Sequence, residues 1–154
     1  MPDFVASTFI CAPIEEVWKF HEAPDALFQL TPPAQDIRVL THIGGIEVGA
    51  RLVISVRLLG PFRTTWHALH IACTPPTLFI DEQESGPFSY WHHEHRFASV
   101  DGGTTLTDAI SFRLPGGSLI NWLAAPIVRL QLSSLFRYRH AATRRCCEST
   151  MPSY

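Results

Sequence analysis

The sequence has almost no lysine: Lys19 stands alone against eleven arginines. It has little net charge either, at -2, so the chain as a whole demands neither nucleic acid nor a membrane surface as partner. A cysteine framework is missing. Cys11, Cys73, Cys146 and Cys147 match neither a paired disulfide set nor a two-plus-two zinc pattern. Cys11 and Cys73 fall in apolar, strand-like surroundings and are expected as buried thiols. Cys146 and Cys147 are expected in an exposed polar tail. No run of eighteen apolar residues exists, which argues against integral membrane association. The opening MPDFVASTFICAP has no basic stretch leading into an apolar one, so no signal peptide is expected and a cytoplasmic location is the default. Repeats, linkers and low-complexity tracts are absent too.

What is present is enough for one domain. A chain of 154 residues that is 46% hydrophobic buries a real core. Phe4 to Cys11 reads as a strand. Pro13 opens a helix with Glu15 and Glu16 in its first turn and Ile14, Val17, Trp18 and His21 on its apolar face. Ala23-Pro24-Asp25 breaks it. A short second helix, Ala26 to Leu30, is stopped by Thr31-Pro32-Pro33. Six strand candidates follow: Ile37 to Ile43, Leu52 to Leu58, Arg63 to Cys73, Leu78 to Glu84, Tyr90 to Val100 and Thr104 to Leu114. Pro115-Gly116-Gly117 ends the last, and the period changes to that of a helix. Leu119, Trp122, Leu123, Ile127, Leu130 and Ser134 form its stripe, widened by Val128, Leu132, Leu135 and Phe136. Pro126 is expected to kink or interrupt it. The basic run Arg137, Arg139, His140, Arg144 and Arg145 suits a solvated helix terminus. The fold class is therefore α+β: a curved antiparallel sheet gripping a long C-terminal helix, with two short helices after the first strand and an apolar space between sheet and helix.

Turn chemistry sets a register for the stretch Asp81 to Asp108. A two-residue turn at Asp101-Gly102 places Phe97 opposite Leu106, His95 opposite Asp108 and His93 opposite Ile110. A four-residue turn centred on Gly86-Pro87 places Glu82 opposite Trp91 and Ile80 opposite His93. One face then carries Ile80, Glu82, Trp91, His93, His95, Phe97, Leu106, Asp108, Ile110 and Phe112. His92 and Glu94 point the other way with Tyr90 and Arg96. Buried ionisable groups need partners, and a cross-strand His95–Asp108 hydrogen bond is predicted.

The segments GPFSYWHHEHRF from Gly86 to Phe97, FHEAPDALFQLTPP from Phe20 to Pro33, GPF from Gly60 to Phe62, Thr107-Asp108, and FRYRH from Phe136 to His140 belong together. They resemble a bacterial subgroup of the START-like (SRPBCC) superfamily, which includes polyketide cyclases/dehydrases, lipid-transfer domains and the birch-pollen allergen. The resemblance implies a helix-grip fold with a ligand cavity, spanning residues 1–145 and followed by a tail at 146–154. It does not fix an activity, because the superfamily holds binders, transporters and enzymes on one scaffold.

The residues expected to contact a ligand are Glu82, Trp91, His93, His95, Asp108 and Ile110 on the sheet, with Trp66, Trp122 and Phe28 around the cavity and its mouth. Leu59 to Phe62 and Leu30 are placed at that mouth as well. The function expected is non-covalent binding of a small hydrophobic molecule or lipid. One alternative is a cyclase or dehydrase using the His95–Asp108 pair as acid or base. Another is an accessory protein with a vestigial cavity, which a filled interior would favour. No metal or other cofactor is expected, because His-x-His at 93 and 95 is a weak signal alone. No nucleic acid is expected as partner, for want of aromatic stacking or a DNA-reading helix. A second copy of the chain, as a homodimer, is compatible with the composition.

Overall fold

Alternation and turn signals become strands in the order the sequence presents them. The computed structural model describes residues 3–59 and 61–149. Its elements are β1 (Phe4–Ile10), α1 (Ile14–Glu22), α2 (Ala26–Gln29), β2 (Ile37–Ile43), β3 (Arg51–Leu59), β4 (Phe62–Thr74), β5 (Leu78–Ser85), β6 (Tyr90–Val100), β7 (Gly103–Arg113) and α3 (Gly117–Glu148). Pro13 precedes α1, and Ile14, Val17, Trp18 and His21 are its buried face, the spacing an amphipathic helix dictates.

The seven strands form one antiparallel sheet in the order β1-β7-β6-β5-β4-β3-β2. Strands β2 to β7 are a meander, each paired with its neighbour in sequence. β1 closes the far side against β7, from Phe4 opposite Ile110 to Ile10 opposite Thr104. The two strands approach so closely at Gly103 that a Cβ there would lie 2.1 Å from the Ile10 carbonyl oxygen.

The β6–β7 register has His95 opposite Asp108 and Phe97 opposite Leu106, as the Asp101-Gly102 turn dictates. The β5–β6 register differs by one residue from the sequence expectation. Glu82 pairs with His92, Asp81 with His93 and Phe79 with His95. The cause lies in the turn. The Gln83 amide accepts from Phe88 N–H at 3.3 Å and donates to Phe88 O at 2.6 Å, closing the loop through a side chain where a backbone pair was expected. One slipped residue reverses the faces. The inner face therefore carries Phe79 and Asp81, and Ile80 and Glu82 go to the other side.

α3 covers this inner face. Asn121 fixes its entry, accepting from Leu114 N–H at 2.8 Å and donating to Leu114 O at 2.9 Å. The helix runs unbroken through Pro126 and continues to Glu148. Residues 146–148 therefore belong to α3 and not to a tail, and Cys147 is buried against Ile10, Val17 and Trp18 in the core beneath α1. Cys11, in contrast, is exposed and Cys73 is partly so; Cys11 lies just past the end of β1, where alternation no longer governs.

The apolar stripe of α3 also needs correcting. Leu119, Trp122, Leu123, Ile127 and Leu130 are exposed. The inward side is made by Ile120, Ala124, Val128, Leu132, Leu135 and Phe136. The first half of α3 is apolar on two sides, so its period defines a helix without choosing the face. By length and composition α3 could cross a bilayer. In this fold its first half is largely exposed and its second half packs in the core: Leu132 and Phe136 pack on Trp91, Ile110 and Phe112, each such burial stabilising by roughly 1.5–3 kcal/mol.

Candidate functional site

Sheet and helix do not meet everywhere. Between them lies a cavity of about 840 Å³. β3 and β4 contribute Leu52, Ile54, Val56, Trp66 and Ala68; α2 contributes Ala26 and Leu27; α3 contributes the inward residues named above. Trp66 meets Trp91 edge-on with centroids 5.0 Å apart, making one aromatic wall. Against this mostly apolar lining stands a polar patch formed by His21, His70, Asp81, His93, His95 and Arg139; Gln35, Arg57 and Gln131 also reach the cavity.

Behind the patch, Asp108 is the hub. Its Oδ1 lies 2.9 Å from both His93 Nε2 and His95 Nδ1. Its Oδ2 accepts from His140 Nε2 at 2.7 Å. Burial by itself would raise the Asp108 pKa, but contacts from His140, His93 and His95 outweigh it and hold the carboxyl well below the usual carboxylate range. In front, His95 Nε2 donates to Asp81 Oδ2 at 3.0 Å. Asp81 is pulled down to about 2: burial opposes this, and the His95 hydrogen bond and the charges of His93, His95 and His70 prevail. His95 sits between two carboxylates, and against the desolvation of burial these raise its pKa. His93, a strand position away, is lowered by burial and by the charge of His95. The pair thus separates into one imidazole favouring its proton and one losing it.

Two further groups complete the patch. His21 donates to Val17 O at 2.8 Å, and burial lowers its pKa to about 4. Arg139 lies in the cavity wall, with its guanidinium 5.3 Å from the Phe136 ring centre and its Nε without a hydrogen-bond partner.

Of the residues singled out from sequence, Trp66, Trp91, His93 and His95 line the cavity. Asp108 and Ile110 are buried one layer behind it. Glu82 does not belong to the site: it faces outward and accepts from His92 Nδ1 at 2.7 Å. Trp122 and Phe28 are 74% and 81% exposed and point away, while Ala26, Leu27 and Leu30 of the same region line the cavity. Of the expected mouth residues, Gly60 lies outside the described residues, and Phe62 is exposed. Asp81, His70, His21, Arg139 and His140 were not anticipated as site residues. For the last two a signal existed: Leu132, Phe136, His140 and Thr143 are buried at helical spacing. The run read as a solvated terminus therefore has an inward side.

Sheet, helix and chamber define a helix-grip protein with a large cavity between sheet and helix. The sequence agrees. Residues 10–135 match the family model described as polyketide cyclase / dehydrase and lipid transport, and the chain belongs to that family. Solved structures share the fold. A nucleoside-diphosphate sugar epimerase from Corynebacterium glutamicum is 26% identical with a TM-score of 0.70 over 92% of this chain. This chain spans only 28% of that longer protein. Protein TTHA0849 from Thermus thermophilus is 14% identical with a TM-score of 0.71, covering 97% of this chain and 99% of its own. Protein Ms6760 from Mycobacterium smegmatis is 16% identical with a TM-score of 0.69, covering 96% of this chain and 91% of its own. No curated protein matches the sequence. The family and fold are those of hydrophobic ligand binders and cyclase- or dehydrase-type domains.

Proposed function

We propose that the protein binds, without covalent chemistry, a mostly apolar small molecule that carries one polar group. The observation supporting this reading is the contrast inside the cavity of about 840 Å³: a mostly apolar lining and, within it, a cluster of ionisable side chains, His21, His70, Asp81, His93, His95 and Arg139. That volume falls within the range of about 300–1,000 Å³ typical of small-molecule sites. The apolar body would lie along Trp66, Trp91 and the α3 side chains. The polar end would meet Arg139, whose Nε is unpartnered, and His95. A filled interior would have favoured a vestigial cavity; the open volume supports the binding reading instead.

Native mass spectrometry of gently purified protein is expected to show a retained small molecule, and a fluorescent fatty-acid analogue is expected to bind one per chain. Ala124→Trp places an indole in the chamber from the α3 side and should weaken that probe at least about tenfold, roughly 1.4 kcal/mol, with the fold retained by circular dichroism. Unchanged probe affinity in the folded variant would place the probe elsewhere and sink the reading.

One observation favours a catalytic alternative. His95 is protonated more readily than an ordinary histidine, lies between Asp81 and Asp108, and faces the cavity. Such an imidazolium is a general acid for a cyclisation or dehydration. If the protein turns over a carbonyl substrate this way, His95→Ala loses about 100-fold or more in rate; equal rates in variant and wild type reject the alternative.

A further inference from the structure

We propose that Asp81, His93 and His95 bind one first-row divalent cation, of the Zn²⁺ or Fe²⁺ class, with its remaining coordination positions open to the cavity. This goes beyond the ligand reading, since an ion can be held there whether or not an organic molecule fills the chamber.

Proton placement comes first. An ionised Asp108 only accepts, so each imidazole nitrogen against it carries a hydrogen: Nε2 of His93, Nδ1 of His95 and Nε2 of His140. The opposite nitrogens, His93 Nδ1 and His95 Nε2, then turn toward Asp81. They lie 3.5 and 3.0 Å from the same oxygen, Asp81 Oδ2. In the neutral imidazoles those are lone pairs, and a carboxylate oxygen supplies another. A proton on His95 Nε2 satisfies one of these contacts. It leaves His93 Nδ1, in a ring only 4% exposed, facing a carboxylate oxygen with no hydrogen between them. A cation satisfies all three donors at once.

The spacing fits. The three donor atoms lie within 4.8 Å of one another. Ligands at about 2.0–2.2 Å from a metal stand roughly 3.0 Å apart at right angles and roughly 3.4 Å apart in a tetrahedron. The observed separations of 3.0 and 3.5 Å are such edges. The surroundings fit as well. A carboxylate behind the ligating imidazoles, fixing their tautomers, is the usual support of a metal-bound histidine, and Asp108 supplies it to both. Charge favours the ion: among the described residues of the patch, Arg139 is the one fixed cation facing Asp81 and Asp108. His70, on the same cavity wall, adds a buried Nδ1 without a partner. Two imidazoles with one carboxylate select transition metals over Ca²⁺ or Mg²⁺, and three protein ligands leave positions for ligand or water.

The test is metal uptake by the chelator-stripped full chain, with Co²⁺ and Zn²⁺ as probes. One equivalent of Co²⁺ should bind with visible d–d absorption, and Zn²⁺ should displace it. Asp81→Asn should weaken binding about 100-fold or more, since losing a direct carboxylate ligand costs at least as much as the roughly 10–100-fold seen when the outer partners that support metal ligands are removed. Glu82→Gln, one residue away on the opposite face, should leave it unchanged. X-ray absorption of the Zn²⁺-loaded wild type decides the matter even if Asp81→Asn does not fold. Two imidazoles and a carboxylate oxygen in the shell support the site. A shell with thiolate or without imidazole overturns it, as does absence of stoichiometric uptake or equal affinity in a folded Asp81→Asn. No arm needs an organic ligand, so failure of the chamber reading leaves this result separate.

Discussion

Replacing Asp108 with alanine is expected to lower folding stability by about 3–5 kcal/mol at neutral pH, the scale for removing one partner from a buried ionic network. Urea unfolding of wild type and variant measures it. Asp108 is 3% exposed and takes three imidazole nitrogens from β6 and α3 at 2.7 to 2.9 Å. Its removal leaves three buried N–H groups without an acceptor. Asp108→Asn should also destabilise, because its amide keeps one acceptor oxygen and turns an NH₂ toward an imidazole N–H. Glu82→Gln is the control: it alters a partly exposed pair with His92 and should change stability by no more than about 0.5 kcal/mol. A loss below about 1 kcal/mol for Asp108→Ala would mean that the network does not hold sheet to helix.

The second large effect is a loss of stability in mild acid. His21 has a folded pKa of about 4, lowered from 6.5 by burial among the Phe20, Phe79 and Phe97 rings. The charges acting on it are His95, Asp108 and Arg139, and its own Nδ1 is bound to Val17 O. Above the unfolded value His21 is neutral in both states and has no effect. Between 6.5 and about 4 the unfolded chain takes up a proton that the folded chain refuses. Stability therefore falls as pH drops through that window, by about 3 kcal/mol from this residue. His70 and His93, also lowered by burial, act in the same direction. His95 is raised, so its contribution grows as pH falls toward the unfolded value and is complete below it. The Asp81 contribution is lost only further down, between 3.8 and about 2. His21→Phe keeps the ring contacts and removes the proton. Its urea-unfolding free energy should fall by about 3 kcal/mol less than that of wild type across the same pH interval. Parallel curves would show that His21 is not the residue resisting protonation.

Much of the fold was legible because local chemistry and global architecture agree. Strands β2 and β6 have the bounds that alternation and turn residues suggested. The α1 face was readable because its four buried residues have only one side to occupy. The β6–β7 register followed from a tight turn whose geometry is set by backbone alone. The β5–β6 register did not, because Gln83 closes that turn with a side-chain amide, which turn rules do not count. The same miss exchanged Asp81 for Glu82 and so hid the patch's second carboxylate. His140 and Arg139 were obscured differently. A basic run at a helix end has a sufficient explanation in the helix dipole. Only extending the apolar period past Phe136 shows that part of the run faces inward. Trp122 and Phe28 were misplaced because periodicity says that a helix has a face, and not which neighbour covers it.

The cavity's parts originate in different stretches of the chain. Asp81, His93, His95 and Asp108 come from three adjacent strands of one meander, β5 to β7, which lie side by side in the sheet. Much of the apolar lining comes from elsewhere: α2, β3, β4 and the first half of α3. The Asp108 network and much of the apolar enclosure are thus encoded in different stretches, although β4 and α3 also add His70 and Arg139 to the polar patch. Substitutions at Ala26, Ile54, Ala68, Ala124 or Val128 can reshape the space for a longer, shorter or broader molecule without disturbing a single contact to Asp108. The shape of the chamber can thus change while the network around Asp108 stays as it is.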